Sequence, residues 1–87
     1  MTERLLEFLD DLARTGGARW YPLTSVSEAE QPKFQDEVED LRAIAARGYI
    51  NIRSEIQENM SGSRNIVQVM VEMLDGEGWL EARQGDH

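Results

Sequence analysis

The sequence predicts a mainly α-helical domain with short β-strands, and three observations support this fold class. Apolar residues recur at i, i+3, i+4 and i+7 in several segments, which is the spacing of one helix face. Glycines follow these segments, and short aromatic or β-branched stretches come after the glycines. The chain has 87 residues, of which 40% are hydrophobic and 30% charged. This length and composition predict a single folded domain over residues 1–87.

The N-terminal segment predicts a helix at about 3–15 and a strand at about 19–22. Thr2 can cap the helix, and Gly16-Gly17 can end it. The helix carries one apolar stripe, Leu5, Phe8, Leu9 and Leu12. Trp20 and Tyr21 favour the strand, and Pro22 restricts it to an edge or a strand end because proline cannot donate to a ladder.

The middle of the chain predicts a helix at about 32–47 and a strand at about 49–52. Pro32 suits a first helical turn, after a helical turn at 27–31, and Gly48 suits the end of the helix. One face of this helix is apolar, with Phe34, Val38, Leu41, Ile44 and Ala45. Its acidic run, Asp36, Glu37, Glu39 and Asp40, indicates a solvated face.

The C-terminal third predicts two helices and a strand. Ser54 and Gln57 have the spacing of a capping box, which favours a short helix at about 55–60. Ser61-Gly62 indicates a turn, and Ser63 can cap a helix at about 64–75 that Gly76 would end. Residues 79–82 alternate as in a strand.

Taken together, residues 33–83 resemble the winged-helix variety of the helix-turn-helix superfamily. The residues that carry the resemblance are Ile56 and Met60 in the short helix, Ser61-Gly62-Ser63 at the turn, and Val67, Met70 and Leu74 in the next helix. The resemblance implies a winged-helix-like domain with an added N-terminal helix. The sequence departs from the family pattern because only four residues, QGDH, follow Arg83 to form a wing.

The resemblance also implies a way to bind DNA, with helix 64–75 in the major groove. The residues carried over for contacts with bases are Ser63, Arg64, Asn65 and Gln68. Arg53 and Arg83 would then bind phosphates. This DNA-binding transcriptional regulator is the alternative function, because the formal net charge of -8 disfavours approach to a polyanion.

The apolar content of helix 64–75 favours a protein partner instead. Seven of the nine positions from 66 to 74 are apolar, so a second stripe, Ile66, Val69 and Met73, lies beside the one that the core needs. Either the N-terminal helix of the same chain or a partner, a second copy or another protein, would cover this stripe. Trp20 and Trp79 are candidate interface anchors. The preferred function is therefore a small acidic protein-interaction module, an adaptor or regulator that forms a homodimer or binds a larger partner.

Catalytic, metal and cofactor sites find little support. The chain has no cysteine, and its one histidine, His87, is the last residue, so no nucleophile–base pair or metal-ligand pattern is evident. No glycine-rich phosphate loop follows a strand. The sequence therefore predicts a protein that is not an enzyme and holds no cofactor or metal. No membrane span or signal peptide is evident, and a cytoplasmic location is expected.

Overall fold

The computed structural model describes residues 1–22, 31–60 and 63–85, which form three helices and three strands. In chain order these are α1 (Glu3–Thr15), β1 (Ala18–Pro22), α2 (Gln31–Ala46), β2 (Ile50–Met60), β3 (Ser63–Met73) and α3 (Gly76–Gly85). The strands form one antiparallel sheet in the order β1-β3-β2. The described part of the chain is thus a mixed α/β domain rather than a mainly α-helical one. The helical turn expected at 27–31 falls almost entirely outside the described residues.

The first three elements lie where the sequence places them. The side chain of Thr2 accepts a hydrogen bond from the Leu5 backbone N–H at 3.3 Å, which caps α1. At the other end the Gly16 N–H donates to the Leu12 carbonyl at 2.7 Å, and Gly16 has a φ of 74° that favours glycine. Strand β1 is an edge strand and ends at Pro22, as expected for a strand that contains proline.

The predicted helices at 55–60 and 64–75 are wrong, because both segments belong to the long strands β2 and β3. Ser54 pairs with Met70, and the pairing continues, with a register shift between Ile56 and Gln57, as far as Met60 with Ser63. Side chains alternate between the two faces of a strand. Residues 66–74 are apolar at so many positions that their spacing fits both a helix and a strand. Pairing with β1 and β2 makes this segment a strand.

The predicted strand at 79–82 is also wrong, since these residues lie in α3. Asp75, expected near the end of a helix, instead caps the start of one: its carboxylate accepts from the Gly78 N–H at 3.0 Å. Gly76 lies where α3 meets α1, and a Cβ on it would come within 2.5 Å of the Ala13 carbonyl oxygen. Glycine here permits the close approach of the two helices.

The core lies between the helices and one face of the sheet. Its buried side chains come from all six elements. The helices contribute Leu5, Leu9, Leu12, Phe34, Val38, Leu41, Ile44 and Trp79, and the strands Tyr21, Ile50, Ile66, Val69 and Val71. Beyond the end of β1, α2 holds β3 by a hydrogen bond from the Gln35 side-chain amide to the Ile66 carbonyl at 2.9 Å. One face of the sheet is therefore covered by helices.

Candidate interaction surface

The opposite face of the sheet carries three cross-strand rows of side chains, and we call these nine residues the sheet face. The register aligns Ala18, Glu72 and Asn51 in one row, Trp20, Met70 and Ser54 in the next, and Pro22, Gln68 and Ile56 in the third. The Asn51 amide donates to the Glu72 carboxylate at 3.5 Å, as expected for two side chains on one face. The sheet face therefore spans all three strands.

Apolar side chains of the sheet face remain accessible to solvent. Trp20 and Ile56 are each 37% exposed, and they account for two of the four large apolar side chains that are exposed in the described part of the chain. Met70 lies between the edge strands and is half-buried. In a domain of 87 residues, an accessible tryptophan beside other apolar groups is typical of a contact surface.

The sheet face is nearly neutral although the protein is strongly acidic. Glu72 is its one charged member. The Glu72 carboxylate lies 3.8 Å from the guanidinium of Arg53, which follows Ile52 at the edge of the face. Interface centres are depleted of charged side chains in the same way.

The apolar stripe expected to bind a partner lies elsewhere. Val69 is 0% and Ile66 7% exposed, and both belong to the core of the protein itself. Met73 is half-buried against the same core. On strand β3 the side chains of Val69 and Met73 point towards the helices. Ile66 joins them because the pairing with β2 shifts between Ile56 and Gln57 and passes over Val67, which reverses the alternation. Ile66 and Val69 are therefore unavailable to a partner, and Trp20 is the exposed member of the predicted interface.

Trp79, the second predicted anchor, is a buried residue of α3 on the side that contacts α1. Its indole N–H donates to the Asp10 carboxylate at 2.9 Å, and its ring meets that of Tyr49 edge-on with centroids 6.0 Å apart. Arg83 donates to both oxygens of Asp10, each at 3.1 Å. The hydrogen bonds from Arg83 lower the pKa of Asp10 more than burial raises it, and the bond from Trp79 lowers it further. Asp10 thus joins α1 to α3.

The residues proposed for DNA binding do not form a reading helix. Ser63, Arg64 and Asn65 lie in β3, and Gln68 lies on the sheet face. The two arginines proposed for phosphates are on different elements, Arg53 in β2 beside Glu72 and Arg83 in α3 bonded to Asp10. No helix at 64–75 exists to enter a groove.

Glu37 is a buried carboxylate, although the acidic run that contains it predicts a solvated helix face. Glu37 is 2% exposed. It accepts hydrogen bonds from the hydroxyls of Thr2 and Tyr21 and from the Arg4 guanidinium, whose Nη2 lies 2.7 Å away. Burial alone would raise the pKa of Glu37, but these donors together hold it below its usual value. The signal available in the sequence was its position: Glu37 follows Phe34 by three and precedes Leu41 by four, on the apolar side of the helix.

Other kinds of site lack support in the described part of the chain. No group of three or more histidine, cysteine, aspartate or glutamate side chains there is placed to hold a metal ion. None of the helices described has the length and apolar character needed to cross a bilayer. In comparisons with known proteins, no family model, no curated protein and no solved structure matches the chain.

Proposed function

We propose that this protein is a non-enzymatic protein-interaction module that associates with a second copy of itself through the sheet face. The observation that carries the proposal is the exposure of Trp20 and Ile56 on one continuous, nearly neutral face. Tryptophan is enriched among the residues that dominate binding energy, and burial of both side chains would remove apolar area from water.

The charge distribution supports a second copy as the partner. Two copies each carry a formal net charge of -8 and repel one another in most orientations. A two-fold symmetric contact brings the same patch of each copy together, so like charges near the axis meet. The sheet face avoids this cost because Glu72 is its one charged side chain and has Arg53 beside it.

The size of the sheet face predicts weak association. Three strands about 4.8 Å apart and five residues of about 3.3 Å each give a footprint of roughly 15 by 16 Å. Stable dimers bury about 800 Å² on each partner, several times this footprint. We therefore expect dimer to accumulate only above roughly 100 µM, as in transient contacts.

Sedimentation velocity over about 10 µM to 1 mM protein, at low salt and at about 0.5 M NaCl, tests this proposal. Because salt screens the repulsion between two acidic copies, dimerisation should strengthen as salt is added. Trp20→Ser and Ile56→Ser should each reduce the dimer fraction. The matched control is Leu74→Ser, which removes an apolar side chain that is 58% exposed and lies outside the sheet face.

Two results would contradict the proposal. The first is a protein that stays monomeric at 1 mM in 0.5 M NaCl. The second is a dimer that Trp20→Ser and Leu74→Ser weaken equally, since the contact would then not involve the sheet face.

One observation favours a second candidate, a winged-helix DNA-binding regulator. In this candidate the recognition helix and the wing are different elements from those that the sequence predicts. Helix α2 is followed directly by the antiparallel hairpin of β2 and β3, and β3 also pairs with β1. In this arrangement α2 would enter the groove and the hairpin would be the wing. The exposed side of α2 bears carboxylates, however, with Asp36 and Glu39 both exposed, and Arg42 is already paired with Glu39 at 2.8 Å.

A titration with a labelled DNA duplex at low salt distinguishes the two candidates. DNA binding should weaken steeply as salt is added, because binding releases counterions from the phosphates. Self-association through the sheet face should strengthen over the same range. Duplex binding that Lys33→Gln weakens, while Arg14→Gln on α1 does not, would favour α2 as a recognition helix and the DNA-binding function.

A further inference from the structure

A cleft of about 540 Å³ lies on the helical side of the domain, away from the sheet face. Residues of α1, the end of α2 and α3 line it. Its walls are apolar and aromatic. Leu6 of α1 and Ile44 of α2 contribute aliphatic side chains, and Tyr49, just before β2, and Trp79 of α3 contribute aromatic rings. The volume falls within the range of about 300–1,000 Å³ that small-molecule sites occupy.

The charge of the cleft is opposite to that of the protein. Acidic residues outnumber basic ones 17 to 9 in the chain, yet the described residues that line the cleft include Arg47 and Arg83 and neither aspartate nor glutamate. The Asp10 carboxylate neutralises Arg83, so the positive charge of the cleft comes from Arg47. Arg47 follows the last residue of α2 and forms no ion pair with any described residue. A cation that forms no ion pair within the described part of the chain, beside apolar walls, favours a ligand that is both anionic and apolar.

The cleft is also held in place by the protein. The Asp10 carboxylate binds both the indole N–H of Trp79 and the guanidinium of Arg83, so it fixes an aromatic wall and a basic side chain together. The edge-on contact of Trp79 with Tyr49 fixes the second aromatic ring. Since these groups are positioned before any ligand arrives, binding costs little ordering of side chains.

We infer that this cleft binds a small aromatic carboxylate, with the ring system between the apolar and aromatic walls and the carboxylate on Arg47. Arginine suits this role because its planar guanidinium can donate two hydrogen bonds to one carboxylate. The inference is independent of the self-association proposed above, since Trp20 and Ile56 contribute nothing to the cleft.

Titration with 2-naphthoate tests the inference. The control ligand is 2-naphthamide, which has the same shape but no charge. The two indole N–H signals of the protein, from Trp20 and Trp79, report on the sheet face and the cleft separately in NMR spectra, and Trp20→Phe assigns them. Naphthoate should bind with a dissociation constant below about 1 mM and shift the Trp79 signal but not the Trp20 signal. Naphthamide should bind roughly fivefold more weakly, because it lacks the charge that Arg47 pairs with.

Three variants locate the site. Arg47→Gln should weaken naphthoate roughly fivefold and leave naphthamide unchanged. Arg14→Gln makes the same change of charge at an exposed position outside the cleft. It should leave the dissociation constants of both compounds within about twofold of the wild-type values. Ala82→Phe places a ring in the cleft from an exposed position and should abolish binding of both compounds.

Several results would overturn the inference. Equal affinity for the acid and the amide would show that charge plays no part in binding. Naphthoate binding that shifts Trp20, or that survives Ala82→Phe, would place the compound elsewhere. No binding at 5 mM naphthoate would mean that the cleft is not a site for this class of ligand.

Discussion

Replacing Glu37 by glutamine isolates the contribution of the buried carboxylate to the stability of the fold. The substitution keeps the shape of the side chain but removes its charge and turns one acceptor oxygen into an NH₂ donor. In the native protein both oxygens accept from the Arg4 guanidinium, with Nε at 3.2 and 3.1 Å, and the hydroxyls of Thr2 and Tyr21 donate as well. Glutamine cannot accept all of these bonds, so a donor near residue 37 loses its partner.

The expected cost follows from the geometry. A hydrogen bond to a charged group contributes about 1.5–3 kcal/mol, and removing one partner of a fully buried ion pair costs about 3–5 kcal/mol. The side chain of Arg4 is 34% exposed, so water can solvate part of its charge once Glu37 is neutral. Arg4 also keeps its position over the Tyr21 ring, 4.7 Å from the centroid. We therefore expect a loss of about 2 kcal/mol, below the figure for a fully buried pair.

Urea denaturation at pH 7, followed by far-UV circular dichroism, measures this loss. For a domain of this size, about 2 kcal/mol also lowers the Tm by roughly 8–16 °C. Asp11→Asn is the matched control, because it makes the same acid-to-amide change in an ion pair at the surface, where Asp11 lies 2.7 Å from Arg19. The control should cost less than about 0.5 kcal/mol. Equal losses in the two variants would refute the reasoning that the buried network stabilises the fold.

The pH dependence gives a second, independent check on Glu37. Because its pKa is lower in the folded protein than in the unfolded chain, the carboxylate contributes stability above the unfolded value of about 4.3. This contribution is lost as the pH falls through the lower pKa of the folded state. The difference in unfolding free energy between wild type and Glu37→Gln should therefore be constant from pH 7 to about 5 and narrow below about pH 4.3. A difference that widens in acid would show that the sign of the pKa shift is wrong.

Three further substitutions test the packing of the helices and the sheet. Gly76→Ala should destabilise the fold by about 1–3 kcal/mol in urea denaturation, because its Cβ meets the Ala13 carbonyl; an unchanged midpoint would mean that α1 and α3 lie further apart. Asp10→Asn should cost about 1–2 kcal/mol and shift the Trp79 indole N–H signal, and a variant with neither effect would contradict the role of Asp10 between the helices. Val69→Asp should abolish cooperative unfolding because Val69 is 0% exposed, whereas a folded, monomeric variant would place that side chain at an interface.

Local signals were sufficient to predict the first three elements that the structure describes, α1, β1 and α2. Helix α1 has its cap, its apolar stripe and its terminal glycine within 16 residues, so neighbouring residues determine both of its ends. Helix α2 is similarly marked by Pro32 and Gly48, and its last residue, Ala46, precedes that glycine by two positions. In these segments the spacing of apolar residues fits one structure only.

The second half depends on contacts that are distant in sequence. Strand β3 obtains its partners from β1, some 50 residues earlier, as well as from β2. Isoleucine and three valines among residues 66–71 favour a strand, and this β-branched content was a local signal in its favour. The network of Glu37 could not be predicted, because Arg4 and Tyr21 reach it from 33 and 16 residues away.

The change from helix to strand also changes what the apolar residues of β3 imply about binding. On a helix, Ile66, Val69 and Met73 would form one exposed stripe; on a strand, Val69 and Val71 face the core while Met70 lies on the other side, next to Trp20. The other side of β3 is only partly apolar, because Met70 lies between Gln68 and Glu72. The helices cover one face of this sheet. The apolar residues that predicted a partner are therefore covered by the helices of the same chain, and the proposed contact rests instead on Trp20 and Ile56 of the sheet face.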